Sequence, residues 1–178
     1  MKQLREYNIN FGNLKLGKHN FEFTADDAFF SLFEYSLVKK GNVAVTLVLE
    51  KQRETLLILN FTLKGNITME CDRCLDEFNF PVNSENRLLV KLDAKQEGND
   101  DDLIFLSLDA YQIDVSPFIY EFINLSLPLK RVCESGGKTC NPNMIEYLDH
   151  VNEQENDNPD DNIDPRWEGL KRINKDKN

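Results

Sequence analysis

Gly41-Asn42-Val43-Ala44-Val45-Thr46-Leu47-Val48-Leu49 is followed by Glu50-Lys51-Gln52-Arg53-Glu54-Thr55 and then by Leu56-Leu57-Ile58-Leu59-Asn60-Phe61-Thr62-Leu63. Val43, Val45, Leu47 and Leu49 recur at every second position, and so do Leu57, Leu59, Phe61 and Leu63. A two-residue period places each set on one face of a strand. The polar Lys51-Gln52-Arg53-Glu54 between them predicts a turn, so the two runs form an antiparallel hairpin.

Working outward, Phe78, Phe80 and Val82 alternate, and Arg87-Leu88-Leu89-Val90-Lys91-Leu92 predicts a further strand. Leu103-Ile104-Phe105-Leu106 predicts a short one, after a polar Asp93–Asp102 loop. Toward the N-terminus, Tyr7–Phe11 alternates as a first strand, and Phe21-Glu22-Phe23 continues it. A short helix is expected from Asp26 to about Phe33, capped by Thr24 or Asp26. A second is expected at Asp114-Val115-Ser116-Pro117, with Ser116 as cap, Pro117 as the first helical residue, and Phe118, Phe122 and Leu125 on one face. The expected fold class is α+β: a mostly antiparallel, curved sheet, meander or barrel-like, with two short packed helices and a partly disordered C-terminal tail.

The chain has 178 residues, 40% of them hydrophobic and twelve of them Phe, enough for one sizeable core. A single domain is expected over residues 1–150, with a cysteine-bearing loop closing it. An acidic linker is expected over 151–163, and a docking segment with a basic end over 164–178. No apolar run approaches the ~20 residues of a membrane helix, and the first residues lack the apolar stretch of a signal peptide. A soluble cytoplasmic protein with no membrane partner is the expectation. The formal net charge of −10 opposes phosphate binding over the whole surface. It leaves a protein partner, or a local basic patch working against the overall field. Much of the acid is local, because Asp149–Asp164 carries seven acids and no Lys or Arg.

Cys71-Asp72-Arg73-Cys74-Leu75 ends the long return strand, and the other two cysteines are Cys133 and Cys140. Two pairs of thiols can meet around one tetrahedral ion, and zinc is the metal such a set takes. Cysteines of a cytosolic chain are normally reduced, so disulfides are not expected. Two readings stand side by side: a structural zinc site of Cys71, Cys74, Cys133 and Cys140, or four reduced, partly buried thiols. Leu75 stands where many zinc knuckles place Gly, and six residues separate Cys133 from Cys140. A third reading is thiol–disulfide exchange through Cys71 and Cys74. Such motifs usually open a helix, whereas strand-like sequence flanks this one.

The order of these features resembles the YceD family of bacterial proteins. The resemblance rests on Gly65–Glu70 entering Cys71–Leu75, on Asp114–Pro117 leading to Leu125-Ser126-Leu127-Pro128, on the cysteine pair that follows, and on Asp164-Pro165-Arg166-Trp167-Glu168-Gly169-Leu170. It spans about Leu4 to Ile173. Many members carry a denser cysteine cluster after the Leu-Pro. The resemblance implies a non-enzymatic role in ribosome biogenesis, in the synthesis, processing or stability of large-subunit ribosomal RNA. The implied partners are that RNA or its precursor, a ribosomal protein or an assembly factor, with no small-molecule substrate.

Arg73, Lys130 and Arg131 are candidate contacts for such a partner, and with Lys138 they gather at one end if the cysteine pairs converge. The plainer reading of Arg73 is a salt bridge to Asp72, Asp76 or Glu77. Asp164, Pro165, Arg166 and Trp167 are a candidate docking segment, since a Trp after a flexible linker either folds back or anchors a partner. His19 and His150 read as surface residues. There is no Ser-His-Asp order, no Gly-rich phosphate loop and no His-Glu-x-x-His, so no catalytic set is expected. The alternatives from other classes are a thiol–disulfide oxidoreductase and a protein-interaction module without an RNA role.

Overall fold

The computed structural model describes residues 6–93, 98–100 and 103–156. The chain divides into two compact units, Met1–Cys140 and Asn141–Asn178. The expected docking segment and the acidic stretch from residue 157 onward lie outside the described residues.

In the first unit the order is β1 (Asn8–Ile9), β2 (Gly17–Ala25), α1 (Asp27–Phe30), β3 (Lys40–Arg53), β4 (Leu56–Glu70), β5 (Glu77–Leu92), β6 (Gly98–Asp100), β7 (Leu103–Leu106), β8 (Ile113–Asp114) and α2 (Ser116–Leu125). A 3-10 turn at Cys133–Gly136 follows. In the second unit the described structure is α3, Pro142–Asn156. The fold is α+β, as the sequence implied.

The main sheet runs β2-β3-β4-β5-β7-β6. It is open, with β2 and β6 as its edges, and all its pairings are antiparallel except β5 with β7. The predicted hairpin is β3–β4, in register from Lys40↔Thr68 to Lys51↔Leu57. Val43, Val45, Leu47, Leu49, Leu57, Leu59, Phe61 and Leu63 are all buried, while Ala44 and Thr46 on the other face are exposed. The two-residue period thus faces one set of side chains to the core and the other to water. Phe61 meets Phe122 of α2 edge-on at 5.2 Å. Phe29 and Phe30 of α1 are buried with Ala25 of β2.

Several elements differ from the sequence expectation. The turn of the hairpin is Glu54–Thr55, not Lys51–Glu54. Lys51 continues the inward-facing set after Leu49, still in register with Leu57, and the register shifts only between Lys51 and Arg53. The Lys51 Nζ donates to the Leu14 carbonyl at 3.1 Å and pairs with Glu54 Oε2 at 2.8 Å. A buried ammonium needs such partners, and three lie within reach when the Phe11 carbonyl at 3.5 Å is counted.

The N-terminal strand keeps only Asn8 and Ile9 and pairs with β8 in a separate two-stranded sheet. The Gly12 N–H, which donates to the Tyr111 carbonyl, ties the chain back toward β8. The β5 strand is one run of sixteen residues, where two separate strands were expected. Pro81 is tolerated inside it because β7 pairs only with Leu89–Leu92, which leaves the far side of Pro81 at an edge.

The α1 helix is shorter than expected, ending at Phe30, and Asp26 is its cap, accepting from the Phe29 N–H at 2.9 Å. At α2 the cap is not Ser116. Asp114 Oδ1 accepts from both the Ser116 N–H at 2.9 Å and the Ser116 hydroxyl at 2.7 Å, and an ionised carboxylate is the stronger acceptor for those donors. The buried face of α2 is Ile119, Phe122 and Ile123, whereas Leu125, the last helical residue, stays exposed.

Candidate metal centre

The connection between β4 and β5 is the first cysteine arm. The β4 strand ends at Glu70, and β5 begins at Glu77. Between them the Cys71 N–H donates to the Asp76 carbonyl at 3.0 Å, and the Leu75 N–H donates to the Cys71 carbonyl at 3.0 Å. The Arg73 N–H points at Cys71 Sγ, 3.5 Å away. Closing so tight a knuckle places Leu75 at φ 62°, the left-handed region usually left to Gly. The missing glycine therefore does not prevent the knuckle. Leu75 takes up the strain with its side chain in water, 69% exposed.

The second arm begins at Cys133. The 3-10 turn, Gly137 at φ 72° and the Lys138 N–H bond to the Cys133 carbonyl at 3.0 Å reverse the chain and bring Cys140 back. Gly136 lies hard against β5: a Cβ there would sit 2.2 Å from the Asn79 carbonyl oxygen. The Gly136-Gly137 doublet is what lets a six-residue spacer close on one site.

The four sulfurs converge. Cys71 Sγ lies 3.7 Å from Cys140 Sγ, Cys74 Sγ lies 3.5 Å from Cys133 Sγ, and all four lie within 4.8 Å of one another. A tetrahedron with metal–sulfur bonds of ~2.3 Å has edges of about 3.8 Å, so the spacing fits a thiolate-bound ion. Cys71, Cys74 and Cys133 are buried, and Cys140 is half-buried.

The electrostatics point the same way. Burial pushes the Cys71 thiol up, but the N–H groups of Cys74, Arg73 and Cys133 outweigh it and bring its pKa down to about 6. Burial raises Cys133, with its sulfur neighbours adding to it, and burial raises Cys140 as well. A site that makes one thiolate easily and resists the next ones needs a cation before all four can ionise. Four cysteines so placed can hold a metal ion such as zinc.

Charges cross between the arms. The Asp72 N–H donates to the Arg131 carbonyl at 2.7 Å, and the Arg131 N–H and Nη2 donate to the Asp72 carboxylate at 2.9 and 2.8 Å. The hydrogen bond from the Arg131 N–H holds the Asp72 carboxyl below its usual range. Arg73 Nη1 pairs with Glu134 Oε1 at 3.2 Å. Arg73, Arg131 and Lys138 thus do meet at the cysteine end. Arg73 and Arg131, however, are each held by an acid of the opposite arm, and the Arg73 partner is Glu134 rather than Asp72, Asp76 or Glu77. Lys138 Nζ donates to the Glu77 carbonyl at 3.3 Å. Lys130 is exposed and enters no ion pair among the described residues. Glu134 and Gly136 were not singled out from sequence, although their place between the second pair of cysteines was the available signal. Asp164, Pro165, Arg166 and Trp167 lie outside the described residues.

The family model described as "Large ribosomal RNA subunit accumulation protein YceD" matches residues 59–174. This chain belongs to the YceD family. The matched region takes in all four cysteines, both arms and the strands that carry the first of them. The uncharacterized protein YlbN of Bacillus subtilis (strain 168) is 26% identical over 115 residues, which cover 64% of this chain and 64% of that relative. The chain thus aligns over just under two-thirds of the length of that curated relative. No solved structure matches the chain. No described helix is long and apolar enough to cross a membrane.

Proposed function

We propose that this protein is a non-enzymatic factor that promotes accumulation of large-subunit ribosomal RNA, by binding that RNA, a ribosomal protein or an assembly factor. The observation that carries this reading is the family match over residues 59–174, whose description names that role. In this reading zinc is the ion of the cysteine centre and is structural. It ties Cys133–Cys140 to the end of the sheet through Cys71 and Cys74, with Asp72–Arg131 and Arg73–Glu134 bracing the same two arms. Lys130, with Arg73 and Arg131 beside it, offers the cationic contact for a phosphate-bearing or acidic partner. Asp164, Pro165, Arg166 and Trp167 supply a second contact.

The test is the ratio of large- to small-subunit ribosomal RNA in cells depleted of the protein, rescued by the wild type or by Cys71→Ser/Cys74→Ser. A selective fall in large-subunit RNA, restored by the wild type alone while the variant still accumulates, is the expected result. An unchanged ratio on depletion sinks the reading. Metal analysis of the purified protein tests the ion separately, with one zinc per chain expected.

The lowered Cys71 thiol and the short sulfur–sulfur distances favour a second reading, thiol–disulfide exchange. There the Cys71 thiolate attacks a disulfide such as oxidised glutathione, one glutathione thiolate leaves, and Cys74, whose sulfur lies within 4.8 Å, displaces the second to close a disulfide. The burial of Cys71 and its place at a strand end oppose this. Reaction of the metal-free protein with oxidised glutathione faster than free cysteine reacts would favour it.

A further inference from the structure

The far edge of the sheet carries a surface that the cysteine centre does not use. The β2 strand is an edge of the main sheet, paired only with β3. One row of its backbone N–H and C=O groups therefore has no strand partner among the described residues, and the Tyr7 hydroxyl reaches one of its carbonyls, that of Thr24, at 2.8 Å. Where β2 runs into α1 a cavity of about 540 Å³ opens. Its walls are mostly polar, with the rings of Tyr7, Phe23 and Phe29 among the lining residues. Tyr7 stacks on Phe23 at 5.6 Å and tilts against Phe29 at 5.0 Å. Three carboxylates, Glu6, Glu22 and Asp26, also line it, and no cation among the described residues does.

We propose that the open edge of β2, with the cavity at its end, binds an extended basic segment of a partner protein, one Lys or Arg side chain entering the cavity. An unpaired edge strand is a template for strand addition, in which main-chain bonds give affinity and a side-chain pocket gives selectivity. The cavity fixes the side chain. The apolar stem of such a side chain packs against half-buried Phe23, and the carboxylates that line the cavity pair with its charge. An acidic peptide or a nucleic acid would set its own negative charge against Glu6, Glu22 and Asp26. The acidic net charge of the whole chain favours encounter with a basic partner.

The surface shares no residue with the cysteine centre, so the two readings fail separately. The probe is a dye-labelled, capped peptide, Ser-Val-Arg-Val-Arg-Val-Ser, titrated with the full chain at low ionic strength and followed by fluorescence anisotropy. Saturable binding is expected. It should weaken about tenfold when both peptide arginines become Gln, and as much in Glu6→Gln/Glu22→Gln, since each change removes close charge pairs. Both glutamates are exposed, so the variant should keep the wild-type unfolding midpoint. Cys74→Ser should bind as the wild type does. Amide shifts on adding the peptide should fall on Gly17–Ala25. No saturable binding, equal affinity for the Gln peptide, or shifts confined to the cysteine arms would each overturn the proposal.

Discussion

Two neighbouring regions of this protein are held together by different physics. Along β3 and β4 the chain is fixed by apolar side chains at alternate residues, Val43 to Leu49 and Leu57 to Leu63, each buried to within a percent or so. A few residues on, from Cys71 to Asp76 and from Cys133 to Cys140, little apolar surface is buried. Order there comes from sulfur, crossed ion pairs and backbone hydrogen bonds to an opposite arm. The first kind of order is spread over many contacts, and each change should cost in proportion to the volume removed. The second depends on one shared centre, so its parts should stand or fall together.

The largest expected effect belongs to the first region. Phe61→Ala removes a ring that is 1% exposed and meets Phe122 across the core. A loss of about 3–5 kcal/mol in urea unfolding is expected. If the two regions are held independently, that loss is the same with and without a strong zinc chelator. A loss that grows when metal is stripped would show that the regions are coupled.

Stripping the metal is the complementary test, with a smaller global and a larger local effect. Chelation should abolish hydrogen-exchange protection in both cysteine arms together, at the N–H groups of Cys71, Asp72, Leu75 and Lys138. Protection along β3 and β4 should persist. Cys74→Ser should reproduce this pattern without chelator. Loss of protection in one arm only would mean that each arm holds its own structure, and the shared-centre account would be withdrawn.

Gly136→Ala probes the joint between the regions. The new methyl would collide with the Asn79 carbonyl of β5 at 2.2 Å. The 3-10 turn must then lift off the strand, with a cost of about 1–3 kcal/mol by analogy with overpacked cores. Zinc affinity should fall as well, because Cys133 opens that turn. A variant with normal zinc affinity would show that the arm is set by the metal and not by its seat on β5.

The same contrast decides what the sequence could tell. The β3–β4 hairpin was legible because burial on one face imposes a two-residue period that survives whatever packs on it. Phe29 and Phe30 were placed in the right short helix by the acids before them. The position of the hairpin turn was not legible. Lys51 reads as a turn residue, yet distant carbonyls at Phe11 and Leu14 draw it inward. Ser116 is not the cap of α2 for a similar reason: it is the first helical residue, and both its N–H and its hydroxyl donate to Asp114. At the cysteine end the sequence supplied the ligand set and the possibility that the pairs meet. It did not supply the crossed pairs, because Arg73–Glu134 and Asp72–Arg131 join residues some sixty positions apart. The cavity beside β2 left no pattern either: Glu6 precedes β1, Glu22 lies in β2 and Asp26 caps α1, and they meet only in the folded chain.

The smallest predicted effect has the opposite sign. Leu75 sits at φ 62° with 69% of its surface in water. The left-handed conformation costs an L-residue with a Cβ about 1–2 kcal/mol, and glycine adopts it freely. Glycine also loses about 0.5–1 kcal/mol more in backbone entropy on folding, and here little side-chain burial is given up in exchange. The difference leaves Leu75→Gly more stable by up to about 1 kcal/mol, with Leu75→Asn between the two. Urea unfolding of the zinc-loaded and chelated forms measures it. If the knuckle keeps its shape only around the metal, the gain appears in the loaded form and vanishes when zinc is removed. If the gain is equal in both, the backbone of β4 and β5 closes the knuckle unaided, and the metal binds a turn that the sheet has already made.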